Sequence, residues 1–335
     1  MLTRELFNSY AENYLSFNKY PAVRYKALLH LLDIPRDDER LTTLRPEFMQ
    51  SDIVRELYEE QDRNGNWEPL LSKDYKVKSK FPTNTVAINR CLYIGLTKDD
   101  GDMLFMALDN LEDMLRDRYI DPRYSKNERA PVYFEYAVAT LAEAIDPHNA
   151  LADDPYEKWL YIANEAFAAG EYSYEAEARA QREIYGIKRE RLCPVPVNLL
   201  LSRKDRLSAE LEDRMLHHYG RHVYNNGHIW FYPNPNPQNL PESFENDKTR
   251  RLFMSTSYLN MFRNNACYMD EVVEWILRHR NADGLWDYGN QTKDPWGYFE
   301  YLSVTRNYKY NRIINCTMEV LITLKKYLDS NFIYE

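Results

Sequence analysis

The sequence predicts an all-α fold. Apolar residues recur three or four positions apart through nearly the whole chain of 335 residues, which is the spacing of a helix face. One run, residues 228–232, has the character of a strand, and the proline-rich sequence after it ends that run at once. A hydrophobic fraction of 44% argues against a disordered chain. We therefore expect about a dozen helices of ordinary length.

Each predicted helix is marked by an apolar stripe. A helix is expected to begin near Thr83 or Asn84, which are good N-cap residues, and another to end before Gly170. The stripes, in chain order, are formed by Tyr25, Leu28, Leu29 and Leu32; by Val54, Leu57, Tyr58 and Gln61; by Ile88, Cys91, Leu92 and Gly95; by Leu104, Leu108, Leu111 and Leu115; by Tyr156, Trp159, Leu160, Ala163 and Phe167; by Met269, Val272, Val273 and Ile276; and by Ile314, Leu321, Leu324 and Leu328.

We expect one domain, residues 1–335, because helical periodicity persists and no low-complexity linker divides the chain. Its irregular part lies near residues 225–241, which contain four prolines and five asparagines and cannot form a helix. Loops of this length are uncommon. A surface excursion between helices and a functional flap both remain open for it.

Composition excludes several classes of protein. The 43 Lys and Arg against 52 Asp and Glu give a net charge of −9, which argues against nucleic-acid binding through phosphates. No apolar window is long enough for stable membrane insertion, and no signal peptide is recognisable, so we expect a soluble cytoplasmic protein. No glycine-rich nucleotide loop is present, and no cofactor is predicted. The four cysteines are far apart in the sequence, which favours reduced thiols over a disulfide framework. The sequence does not predict the oligomeric state.

Two segments, residues 58–67 and 276–286, resemble one another. Each ends an apolar helix with a polar turn, followed by glycine, one residue and tryptophan. The glycine suits a helix C-terminus that needs a positive φ angle. The tryptophan can then fold back and bury its ring over the helix end. Because a helix follows each turn, the segments indicate a repeat unit that needs neighbours to bury its faces.

Gln61, Gly65 and Trp67 match the QxxxGxW core of the repeat in squalene–hopene cyclases and prenyltransferase β subunits, which this chain resembles. The second copy has Arg280 in place of the glutamine. The resemblance covers residues 50–118 and 250–330 approximately. It implies an α/α toroid, with inner and outer helices alternating around a central cavity, and it implies that the turns staple helices rather than perform chemistry.

A finer resemblance concerns residues 284–287 and 312–317, which are similar to uncharacterised bacterial members of that superfamily. The same kind of turn is also similar to one in (α/α)6 glycoside hydrolases that act on unsaturated uronides. The acidic motif DxDD, with which a proton-initiated cyclase makes a strong acid, is absent, and so is DDxxD. The acidic runs at 33–39, 99–102 and 153–154 are typical of helix N-caps.

No metal is predicted, although four histidines lie close together in the sequence. They are His217, His218, His222 and His228. The second and third of them are one helical turn apart, a spacing that can present two imidazoles to one metal ion. No Glu follows in the HExxH manner and no Cys is near, so a polar helix end is the alternative interpretation.

The candidate site is the aromatic and charged stretch that begins at Trp286. Aromatic walls with a few polar anchors are typical of pockets for small molecules, while the same rings could simply plug one end of a toroid. The candidate catalytic residues are Asp287, Asp294 and Glu300. The candidate ligand-binding residues are Trp296, Tyr298, Tyr301, Arg306 and Arg312. The clusters at 133–136 and 171–175 are similar in character and are interpreted mainly as packing.

Three functions follow as hypotheses. The first is a cyclase- or prenyltransferase-like toroid that binds a small, apolar molecule in an aromatic-lined cavity, with or without catalysis. The second is a carbohydrate-active hydrolase or lyase that uses two of the three candidate carboxylates, since paired carboxylates flank the bond in glycoside hydrolysis. The third is a non-catalytic helical scaffold whose cavity is filled by its own side chains.

Overall fold

The computed structural model confirms the all-α class, because its described residues form thirteen α-helices and no strand. The strand-like run at 228–232 and nearly all of the segment 225–241 lie outside them. Backbone alone is described at 194–196 and 222–226. The described residues are 2–67, 69–70, 81, 83–117, 126–127, 129–186, 194–226, 240–246, 249, 252–253, 256–257, 259–289 and 309–331.

The thirteen helices include seven at the apolar stripes of the sequence and six that no such stripe marked. A π-turn, Ala27–Leu31, continues the second helix. None of the described helices is long and apolar enough to cross a membrane. In chain order they are α1 Arg4–Phe17, α2 Pro21–Lys26, α3 Glu39–Met49, α4 Asp52–Glu60, α5 Asn84–Ile94, α6 Asp102–Arg116, α7 Ala130–Ile145, α8 Asp153–Phe167, α9 Tyr174–Tyr185, α10 Pro194–Ser202, α11 Ala209–Asn226, α12 Ala266–Arg278 and α13 Lys309–Asn331.

The predicted N-caps are confirmed at Thr83 and in two of the three acidic runs, whereas the run at 153–154 does not cap α8, whose N-cap residue is Ala152 and has no side-chain bond. The Thr83 side chain accepts a hydrogen bond from the backbone N–H of Val86 and begins α5. Asp38 caps α3 in the same way, and Asp100 forms a capping box with Thr97. These contacts satisfy backbone donors that a helix start leaves without partners. The acidic runs are therefore used for local structure at these positions.

The chain divides into two compact units. The first consists of residues 1–55 and 216–335, and the second of residues 56–215. The divisions fall within α4 and α11.

In the first unit, the N-terminal helix α1 packs against the C-terminal helix α13. The Tyr14 hydroxyl, fully buried, donates to the carbonyl of Ile314 at 3.0 Å. At the ends of the contact, Tyr310 donates to the carbonyl of Phe17 at 3.0 Å. A buried phenol needs such a partner, so these bonds fix how the two helices align as well as burying apolar area.

The second unit is organised around a buried arginine. Arg203, which follows α10, is 1% exposed. Its Nε and Nη2 atoms donate to one oxygen of Glu143 on α7 at 2.9 and 2.7 Å. Its Nη1 atom donates to Asp153 at the start of α8 at 2.5 Å, and Nη2 also reaches the carbonyl of Asn149. The other Glu143 oxygen accepts from the backbone of His148. The charges are thus paired and hydrogen-bonded, as burial requires.

The first Gly-x-Trp turn forms within the second unit, just beyond α4. One Asp62 oxygen accepts from the backbone N–H groups of Asn64 and Asn66, and the Asp62 N–H donates to the Asn66 carbonyl. Gly65 takes a φ angle of +82° inside this loop. The indole N–H of Trp67 donates to the carbonyl of Leu57 at 2.8 Å, and the ring is buried. The tryptophan therefore closes the end of α4, as predicted.

The second turn, in the first unit, repeats this arrangement beyond α12. One Asn281 side-chain oxygen accepts from the backbone of Asp283 and Leu285, and the Asn281 N–H donates to the Leu285 carbonyl. Gly284 has a φ angle of +76°. The Trp286 indole donates to the carbonyl of Ile276 at 2.9 Å. The two turns are thus equivalent bond for bond.

The structure corrects one detail of the prediction. The helices end at Glu60 and Arg278, several residues before Gly65 and Gly284, so neither glycine caps a helix. The positive φ angle is needed by the loop that an Asx side chain organises. That residue, Asp62 in one copy and Asn281 in the other, was not recognised as part of the motif.

Each turn also lies against a further helix. Gln61 donates to the carbonyl of Met103 on α6 at 2.9 Å, and a Cβ atom at Gly65 would collide with the Met106 carbonyl. In the second copy, the Arg280 guanidinium lies over the Tyr10 ring of α1, 4.3 Å from its centroid. Glutamine and arginine thus occupy one position of the repeat and make different contacts.

Gly65→Ala and Gly170→Ala form a matched pair of variants. Both glycines have positive φ angles, but a Cβ atom at Gly170 would meet nothing within 4 Å. We expect G170A to lower the free energy of unfolding by about 1–2 kcal/mol through backbone strain alone. G65A should cost about 1–3 kcal/mol more, because the methyl group overlaps backbone atoms of α6. Urea unfolding measures both, and equal losses would show that close approach does not require glycine at position 65.

The buried ion pair predicts a specific non-additivity. Arg203→Met leaves the Glu143 carboxylate, 4% exposed, without its cation, and should cost about 3–5 kcal/mol. The double variant E143M/R203M removes both charges and should be more stable than R203M alone. Thermal and urea unfolding of the variants test this. A double variant less stable than R203M would contradict the account.

Candidate functional site

The candidate site begins directly after the second turn. The Trp286 N–H donates to the Thr317 hydroxyl of α13 at 3.0 Å, and that hydroxyl donates back to the Trp286 carbonyl at 3.2 Å. This exchange holds residues 286–289 alongside the helix. Asp287, the next residue, is therefore placed beside the first turns of α13 by the same tryptophan that closes α12.

Asp287 forms a two-pronged ion pair with Arg312. The Arg312 Nε atom donates to Oδ1 at 2.6 Å, and Nη2 donates to Oδ2 at 2.8 Å. The backbone N–H of Gly289 donates to Oδ1 as well, at 2.9 Å. Asp287 is 8% exposed, whereas the arginine side chain is 23% exposed. The hydrogen bond to Asp287 raises the pKa of Arg312, against the opposing effect of burial, so the guanidinium stays charged.

The next residue, Tyr288, extends this network. Its hydroxyl donates to Oε2 of Glu319 on α13 at 2.5 Å. Its ring stacks on Phe244 with centroids 5.8 Å apart and planes 6° apart. Gly289 has a φ angle of +77°, and a Cβ atom there would press on the Glu245 side chain at 3.0 Å. Glycine at this position thus lets the chain turn close to the segment that carries Phe244.

Behind Tyr288 lies a buried aromatic group. Phe244 stacks on Trp275 of α12 at 5.1 Å, and Phe253 meets Tyr288 edge-on at 6.0 Å. The Trp275 indole donates to the carbonyl of Pro241 at 2.9 Å. These rings pack against one another, so the aromatic side chains in this part of the site contribute to the buried core.

The structure brings together two of the eight predicted site residues. Asp287 and Arg312 were predicted separately, as an acid and as a ligand contact, and their ion pair was not foreseen. The other six lie outside the described residues: Asp294, Trp296, Tyr298, Glu300, Tyr301 and Arg306. The roles of all eight stay predictions.

Sequence reasoning missed Phe244, Trp275 and Glu319. Trp275 lies in the α12 segment whose apolar stripe was recognised, and its spacing from Val272 could have placed it on the buried face. Phe244 comes shortly after the proline-rich segment, where no periodic signal exists. Glu319 sits on a helix full of polar residues, so only the three-dimensional position of Tyr288 distinguishes it.

The histidine cluster is described in part. The His217 ring meets Tyr268 edge-on, and His218 meets Tyr219. The side chains of His222 and His228 lie outside the described residues. Within the described part of the chain, no three His, Cys, Asp or Glu side chains are arranged as metal ligands. Of the described cysteines, Cys91 and Cys316 are buried and Cys267 is exposed.

Chemically, the pair presents an oriented cation. Asp287 accepts two bonds from Arg312, and the remaining Nη1 atom makes no hydrogen bond with a described residue. A guanidinium held on one edge in this way can bind an anionic or hydroxylated group with little loss of entropy. Asp287 then acts as the group that positions the arginine.

Replacing Arg312 with lysine should separate charge from geometry. Lysine keeps the positive charge but cannot form two parallel bonds to Asp287, so R312K should lower the free energy of unfolding by about 1–2 kcal/mol. The matched control is Arg4→Lys, because the Arg4–Asp329 pair is largely exposed and should change stability by less than about 0.5 kcal/mol. Chemical unfolding measures both. Equal effects would show that the two parallel bonds from Arg312 to Asp287 add no stability.

Comparison with known proteins adds no relative to this picture. No family model matches the chain, and no match was found among curated proteins or among solved structures. The resemblance to the cyclases and prenyltransferases thus rests on the residues of the two turns. Function has to be argued from the geometry of the side chains.

Proposed function

We propose that the protein is an α/α toroid of the cyclase and prenyltransferase kind that binds a small, largely apolar molecule and holds its polar end with Arg312. The equivalence of the two turns supports the repeat architecture. The oriented guanidinium of Arg312 is the single observation that carries the binding proposal. The arguments for the architecture and for the ligand are independent of each other.

The neighbours of the turns support a closed ring of helix pairs. The first turn lies against α6, the helix that follows α5. The second turn is followed by α13, the final described helix, and lies against α1 through a 3.0 Å bond from Asn13 to the Asp283 carbonyl. Helix α1 thus takes in the second copy the place that α6 takes in the first. This is the order expected if the helix pairs continue from the end of the chain to its beginning.

The ligand class follows from the sequence between Asp287 and Arg312. In the sequence these two residues flank positions 290–308, in which Trp296, Tyr298 and Tyr301 are the predicted apolar contacts. A charged anchor beside aromatic residues suits a molecule with an apolar body and an anionic end. An isoprenoid diphosphate is the probe of that chemistry. The absence of DxDD and DDxxD keeps the cyclase and diphosphate-ionising reactions out of the proposal.

A thermal-shift titration of the full chain tests the proposal. The probes are farnesyl diphosphate, squalene in mild detergent, and an unsaturated uronide disaccharide. At about 100 times its dissociation constant a ligand stabilises the folded state by about 2.7 kcal/mol. We expect farnesyl diphosphate to raise the midpoint temperature, and R312A to weaken its binding by at least about tenfold, since an ionic hydrogen bond is lost.

The control is Arg278→Ala, an exposed arginine of α12 that bonds only locally to the Glu274 carbonyl. It should bind farnesyl diphosphate as the unmodified chain does. Equal binding by R312A would overturn the role of Arg312. A shift with the uronide alone would favour the carbohydrate-active alternative, and no shift with any probe would favour the scaffold.

A further inference from the structure

A second cluster, in the unit of residues 56–215, contains a carboxylate oxygen without a partner. Glu135 on α7 accepts from the ammonium group of Lys158 on α8 through Oε1, at 2.6 Å. Its Oε2 atom is buried, and no described residue donates a hydrogen bond to it. Leaving such an acceptor unsatisfied costs about 1–3 kcal/mol. Buried groups of this kind in native proteins call for an explanation, often a bound water or ligand.

The charges around Glu135 do not cancel. Lys158 also binds Asp154 at 2.6 Å, so one ammonium group serves two carboxylates. Burial acts to lower the pKa of Lys158, but its bonds to Asp154 and Glu135 outweigh this and raise the pKa, so the lysine remains charged. The three side chains together carry a net charge of −1. A group that both donates a hydrogen bond and carries positive charge would complete the cluster.

One aromatic ring lies beside the same lysine, and a buried tryptophan packs behind that ring. The ring of Tyr185 lies 5.7 Å from the Lys158 ammonium nitrogen. Trp159 packs against Tyr185 at 5.9 Å and meets Tyr136 edge-on at 6.0 Å. Ring faces attract cations through their quadrupole, which adds to the effect of the Oε2 atom that lacks a donor. Glu135 and Tyr185 are partly exposed, so the cluster is open to solvent on one side.

We propose that this cluster, formed by Glu135, Lys158 and Tyr185, binds a small molecule that carries a protonated amine, which donates to Oε2 of Glu135. A water molecule would satisfy the oxygen but leave the excess negative charge, and so would a sugar hydroxyl. The cation satisfies both requirements. The site is built from α7, α8 and α9, and its proposal is independent of Arg312.

The test is an isothermal calorimetry titration of the full chain with butylammonium chloride at constant ionic strength. The neutral control ligand is 1-butanol, which has the same carbon chain. One ion pair with cation–π support in so small a ligand corresponds to a dissociation constant on the order of 1 mM. We expect saturable binding of butylammonium and none of 1-butanol in that range.

The variants locate the site. Glu135→Gln removes the charge and should weaken binding at least about tenfold, a loss typical of one charge-assisted hydrogen bond. Tyr185→Leu, which leaves the carboxylate in place, should weaken it several-fold through the lost cation–π contact. The control is Glu157→Gln, whose exposed carboxylate on α8 pairs with Arg206. It should bind as the unmodified chain does.

Three results would overturn the proposal. Unchanged binding by E135Q would place the ligand elsewhere, and equal binding of 1-butanol would make the site apolar. An absence of saturable binding at concentrations well above 1 mM would indicate that a water molecule, and not an amine, satisfies Oε2 of Glu135. The far-ultraviolet circular dichroism and melting temperature of each variant show that it is folded.

Discussion

The bond between an indole N–H and the carbonyl at the end of the preceding helix is the constraint on which the described fold depends. It occurs twice, from Trp67 to Leu57 and from Trp286 to Ile276. Helix ends leave carbonyl groups without intrahelical partners, and burial would make them costly. The tryptophan bonds to a carbonyl of the last turn and covers the helix end with its ring, although the Ile276 carbonyl also accepts from the His279 N–H at 3.1 Å. The chain is thereby turned back at a defined residue, so whatever follows the tryptophan starts from a fixed place.

At the second turn, this fixed start is what brings Asp287 and Arg312 together. The residue after Trp286 is Asp287, and the two hydrogen bonds between the Trp286 backbone and the Thr317 hydroxyl align it with α13. The guanidinium of Arg312 can then form two parallel hydrogen bonds to the carboxylate. In the first copy, the Trp67 N–H is bound instead by the side chain of Asn84, at the beginning of α5. The two copies therefore share the indole bond to the helix end, and they differ in the side chain that binds the backbone of the tryptophan.

The sequence predicted the positions of seven helices, the caps at Thr83 and Asp38 and the burial of both tryptophans, because those features are set by local spacing and by turn geometry. It did not predict that Arg312 binds Asp287, since pairing across 25 residues depends on the tertiary path of the chain. It also treated Glu135 as part of a packing cluster. An unsatisfied oxygen is a property of three-dimensional surroundings and leaves no trace in a residue pattern.

The exchange of Gln61 for Arg280 has a consequence for recognising relatives of this protein. The first residue of the motif contacts a neighbouring helix in each copy, and Gln61 also donates to the Gly65 carbonyl of its own loop at 3.1 Å. The loop itself is organised by Asp62 or Asn281 together with the glycine and the tryptophan. A search pattern that demands glutamine finds one copy in this chain. A pattern of Asp or Asn, two residues, Gly, one residue and Trp finds both, and is the better signature for distant homologues.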